Sequence, residues 1–138
     1  MNRRSLRMLA RERLKDARLL HRAGRYSGCY YLCGYVIECA LKACIARQTE
    51  RHDFPDKKFA IDIHTHNIER LLDLAELKVA FKEARNQDRS LADNWLIVLT
   101  WNESYRYDIS SGIEDASGLL QAIIDPHHGV LTWIKKHW

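Results

Sequence analysis

From residue 3 to residue 23, Leu6, Leu9, Ala10, Ala17 and Leu20 share one side at helical spacing, with Leu14 on its flank, and Gly24 ends the run. Residues 26–49 are apolar on almost every side, which predicts a long central helix. From Arg51 to His64 comes the longest irregular connection, with Pro55 and a charged PDKK turn. Thr65 is the expected N-cap of a third helix that turns Ile68, Leu71, Leu72 and Ala75 inward. A weaker helical pattern follows at about 77–86.

SLADNWLIVLTW predicts a fourth main helix, with Ser90 and Asp93 as a start resembling a capping box, and Trp95, Val98 and Trp101 in the core. NESYRYDIS reads as a loop or a frayed helix end. Ser111 and Glu114 repeat the capping signature for a fifth helix, which stops near Asp125 because Pro126 cannot continue it. GVLTWIKKHW closes as a short amphipathic helix, where Trp133 and Trp138 are candidates for a subunit contact. No alternating run persists long enough for a strand. The pattern predicts one domain over residues 1–138, all-α, an antiparallel bundle of about five main helices with a four-helix up-and-down core and no significant β-sheet.

Composition narrows the class. With 138 residues and 46% apolar side chains the chain can build one core, and two prolines and six glycines argue against an all-β or disordered chain. MNRRSLRMLA lacks the apolar run of a signal peptide, so a soluble cytoplasmic protein with reduced thiols and no membrane partner is expected. The net charge of +4 is unevenly spread: residues 1–25 hold nine Arg or Lys against Glu12 and Asp16. Arg4, Arg7, Arg11, Lys15, Arg18 and Arg22 recur every three or four positions and form one flank of the first helix. Like charges at that spacing repel, and an anionic partner such as a phosphate backbone would relieve them.

All four cysteines lie between residues 24 and 46. Cys29, Cys33 and Cys44 fall near one another on a helical projection and Cys39 on another side, without a second Cys pair elsewhere. Packing as small hydrophobes is the expectation, with neither metal nor cofactor. A Gly-rich phosphate loop and a Gly-x-Ser-x-Gly elbow are both missing, so nucleotide hydrolysis and serine-hydrolase chemistry have no support. The same helix carries a polar stripe, Tyr31, Tyr35, Glu38 and Lys42, with Glu38 four residues before Lys42 as a helical ion pair prefers. A carboxylate on so apolar a helix needs a partner, and Arg106 and His66 are the further candidates.

GRYSGCYYLCGYVIECALKA resembles the second helix of the HEPN family, an aromatic-rich run leading to Glu38-Cys39-Ala40-Leu41-Lys42-Ala43. Thr65-His66 followed by Leu71-Leu72, and then Arg106-Tyr107-Asp108, continue the resemblance in order along the whole chain. It implies a helical bundle that often forms homodimers through its central helices. It also implies a ribonuclease or toxin, a partner of a minimal nucleotidyltransferase in a toxin–antitoxin or defence system, or an RNA- or nucleotide-binding module. The family's ribonucleases use Arg-x4–6-His, and residues 107–113 after Arg106 contain no histidine; Arg47 and His52 fit the spacing only at the end of the second helix. A binding module is therefore favoured, with a divergent ribonuclease and a dimeric scaffold free of nucleic acid as alternatives. The resemblance makes Arg106, Tyr107, Glu38, Lys42 and Tyr35 the candidate phosphate or ligand site, and Arg106, Glu38 and His66 the catalytic candidates should activity exist. Glu38 and Arg106 are expected in contact, within one subunit or across the dimer.

Overall fold

Asn2 starts the first helix by accepting the Ser5 N–H at 2.9 Å, and Gly24 ends the turn after it at φ 73°, a conformation glycine adopts without strain. The Arg25 N–H reaches back to the Leu20 carbonyl at 2.8 Å, so the chain reverses within a few residues and the second helix returns along the first. The computed structural model describes residues 1–51 and 61–138. Among these are α1 (Arg3–Arg22), α2 (Tyr26–Arg51), α3 (Ile68–Leu74), α4 (Lys78–Gln87), α5 (Arg89–Leu99), a 3-10 turn (Glu103–Tyr107), α6 (Ile113–Ile124) and α7 (Val130–Ile134), with no strand. The all-α antiparallel bundle read from the sequence is the architecture found.

α2 is the axis. α1, α3, α6, α7 and the 3-10 turn all pack on it, and α5 joins through α6. Its Cys29, Cys33, Val36, Ile37, Ala40, Leu41 and Ala43 are fully buried, each large aliphatic side chain contributing about 1.5–3 kcal/mol on burial. The stretch Tyr26–Thr49 is long and apolar enough by composition to cross a membrane, but 72% of its most apolar window is buried in the bundle, which marks a core helix. Within the chain these elements cover most of the apolar circumference of α2, and Tyr31, Leu32 and Tyr35 stay half-buried. Trp133 and Trp138 are likewise used internally, Trp133 on Phe81 at 4.7 Å between ring centroids and Trp138 buried against α1.

The cysteines pack as expected of small hydrophobes: all four are free and buried, with Cys29 and Cys33 sulfurs 4.0 Å apart. Burial pushes the Cys39 thiol to about 11 and the Cys44 thiol to about 12, so both stay protonated. Gly34 has a packing role. A Cβ there would lie 2.0 Å from the Trp101 ring, so the missing side chain lets the indole lie flat on α2.

Helix starts differ from expectation by one or two residues. Asn67, rather than Thr65, caps α3 by accepting the Arg70 N–H at 2.9 Å, while Thr65 Oγ1 accepts the Asn67 N–H. Asp88, rather than Ser90, caps α5 through the Leu91 N–H. At α6 the cap is Gly112, whose N–H donates to Asp115, because Ser111 is held outside the helix by Asp108. The weak pattern at 77–86 is a full helix, α4, and NESYRYDIS holds the 3-10 turn. Residues 52–60 of the expected long connection, Pro55 and His52 included, lie outside the described residues.

Candidate functional site

Two charged regions emerge from the packing. The first surrounds Glu38, which α2 carries into the core with a relative exposure of 2%. Its Oε1 accepts from Lys42 Nζ at 2.8 Å and faces His66 Nδ1 at 2.9 Å, where a protonated Nδ1 donates to the carboxylate. The His66 side chain is 48% exposed. His66 belongs to an open groove of about 450 Å³, lined also by Thr65, Asn67, Glu69, Trp101, Asn102 and Glu103.

The stripe on α2 continues away from Glu38 as an aromatic ladder. Tyr35 stacks on Tyr31 at 6.2 Å, and Tyr31 on Trp101 at 6.1 Å, whose Nε1 donates to the Tyr31 carbonyl at 3.1 Å. Burial, then Cys39 and Glu38, raise the Tyr35 hydroxyl to about 12.

Arg106 is not part of this cluster. Its guanidinium stands 4.8 Å from the ring centroid of its neighbour Tyr107, both residues are exposed, and it forms no ion pair with Glu38 in this chain. Asp108 explains the local geometry. It accepts from the hydroxyls and backbone N–H groups of Ser110 and Ser111, which hold its carboxyl down at about 2, the Ser111 hydroxyl most strongly. The segment is thus tied to itself, and it presents Ile109 at 94% exposure. The contact that the sequence suggested between Glu38 and Arg106 is replaced within the chain by Lys42 and His66.

The second region is the outer side of α1. Arg4, Arg11, Lys15, Arg18 and Arg22 are exposed and Arg7 is half-buried. Lys15 pairs with Glu12 at 2.7 Å. Arg7 and Arg11 lie 5.4 and 5.1 Å from the Trp138 ring centroid, and Lys135 lies 5.7 Å from it. Partial desolvation, then the charges of Arg11 and Arg18, lower the pKa of Lys135, so this lysine stands among the arginines. Sequence reasoning found the α1 stripe but missed Lys135 and the role of Trp138, which only the docking of the last helix brings to it.

His128 also has a carboxylate partner that the sequence did not suggest. Its Nδ1 lies 2.7 Å from Asp88 Oδ2, tying the start of α5 to the turn before α7. The hydrogen bond to Asp88 raises the His128 pKa and lowers that of Asp88.

A family model of the HEPN domain matches residues 4–125. No curated protein and no solved structure shows a significant match to the chain.

Proposed function

The chain belongs to the HEPN domain family, and from that premise we propose that it is an RNA-binding module whose contact surface is the outer side of α1. The observation that carries this reading is the file of exposed cations Arg4, Arg11, Arg18 and Arg22, joined by Lys135. Among the described residues none of these five forms an ion pair within the chain. Their mutual repulsion is relieved when phosphates lie against them, and the cations condensed on the nucleic acid are released to solution.

Binding rather than cleavage is favoured on chemical grounds. Arg106 lacks the following histidine, and the groove at His66 is lined by Glu69 and Glu103 without any Arg or Lys, a poor seat for a phosphodiester. The test is fluorescence anisotropy with a labelled RNA at low salt. Wild-type protein is expected to bind with micromolar affinity, and the Arg11→Glu, Arg18→Glu, Arg22→Glu triple variant to lose about hundredfold while its circular dichroism is unchanged. Equal binding by both proteins, or no binding by either, overturns the reading.

A further inference from the structure

Resting on the RNA-binding reading above, we infer that the α1 face takes the sugar–phosphate backbone of a single strand and leaves its bases unread. Proteins that grip single strands without reading sequence combine a cationic track with aromatic rings on which bases stack. Here the track has no ring to offer. Trp138, the aromatic beside it, is buried, and Arg7, Arg11 and Lys135 lie against its ring. The indole serves as a pedestal that holds cations in place. The stripe itself is Arg and Lys, cations spaced to meet successive phosphates along its length.

The shape of the track selects the strand. Arg4 and Arg22 bound a straight run of about 27 Å along the helix, at 1.5 Å rise per residue. A stacked strand advances about 3.4 Å per phosphate, so the track matches about eight nucleotides. Between Arg4 and Arg11 it opens into a hollow of about 490 Å³ lined by Arg3, Arg4, Arg7, Met8 and Arg11, wide enough for a phosphate and its water. A flexible single strand can lay successive phosphates along a straight file of cations. In an A-form duplex each strand curves away from such a line, and its narrow major groove does not admit the side chains. Only part of the file would then be met.

The experiment compares anisotropy titrations of labelled U12, A12 and C12 RNA with a duplex of the same length at one low salt concentration. Affinities for the three single strands are expected within about threefold of each other, and the duplex about tenfold weaker. Shortening the single strand below about eight nucleotides should lower affinity stepwise, whereas lengthening beyond it should add little. Lys135→Gln should weaken all single strands by the same factor and reduce the salt slope by about one. A preference of tenfold or more for one homopolymer, or a duplex bound as tightly as the single strands, overturns this inference while the RNA-binding reading stands. No binding to any RNA overturns the reading beneath it.

Discussion

Around Glu38, each charge meets its counterpart inside the chain: one buried carboxylate receives Lys42 and His66 on the same oxygen. Along the outer side of α1 the arrangement is reversed: Arg4, Arg11, Arg18, Arg22 and Lys135 crowd on one surface without an ion pair among the described residues, while carboxylates balance Arg13 and Lys15 nearby. The first arrangement makes the carboxylate tolerable in an apolar core. The second leaves an excess of like charge at the surface, which weakens the helix slightly and gains its energetic return only when an anion arrives. Both regions looked like sites in the sequence. Their charge balance is what sets the two apart, and the RNA-binding reading proposed above rests on that difference.

The comparison breaks most readily at Glu38. Glu38→Ala opens a cavity beside α2 and takes the shared acceptor from Lys42 and His66, whose side chains reach solvent, a loss of about 2–3 kcal/mol. Urea unfolding should show that loss, and the protein that remains folded should bind RNA as wild type does. Loss of RNA affinity at unchanged stability would move the binding site to the groove.

Gly34→Ala is the next largest change. The added Cβ meets a buried Trp101 ring that is fixed by its bond to the Tyr31 carbonyl, and overpacking of this kind costs about 1–3 kcal/mol. Urea unfolding measures that loss, and RNA binding by the folded fraction should again be unaffected, since the aromatic ladder belongs to the balanced region.

Arg106→Ala sharpens the comparison from the other side. An exposed guanidinium resting on its own neighbour should change stability by less than about 0.5 kcal/mol on urea unfolding and leave RNA affinity unchanged. A large drop in affinity would restore the 3-10 turn as a contact.

The smallest effect is the pH dependence of the pair formed by His128 and Asp88. His128 has a raised pKa, so its stabilising contribution is complete below its ordinary value of 6.5 and is lost as pH rises through the folded value. Asp88 has a lowered pKa, so its contribution is present above 3.8 and is lost as pH falls through the folded value. Thermal melts should therefore show His128→Ala losing its deficit against wild type as pH climbs above neutrality. A deficit independent of pH would assign the pair a packing role alone.

Much of this was legible beforehand, for identifiable reasons. The position of α2 followed from apolar residues around its whole circumference, and α1 from a one-sided pattern whose Leu6, Ala10, Leu14 and Ala17 are buried. The caps were displaced because Asn, Asp, Ser and Thr compete for backbone N–H groups at neighbouring positions; near α6, Asp108 captures Ser111 before the helix begins. Glu38 was recognised as needing partners, and His66 and Lys42 were named among them. Within the chain Arg106 does not reach Glu38, because residues 102–111 satisfy one another locally, which a pairwise argument about long-range charges does not include. Lys135 and Trp138 reach the α1 surface from the far end of the chain, and no local periodicity records that meeting.

The central claim is that the unbalanced cations of α1 and Lys135 are a phosphate-binding surface, and the salt dependence of RNA affinity tests it most directly. Five cations each neutralising one phosphate of a single strand predict a slope of log K against log salt concentration of about −3.5 for wild type, falling toward zero when Arg11, Arg18 and Arg22 are reversed. A wild-type slope near zero, or a slope that survives the triple reversal, would contradict the account.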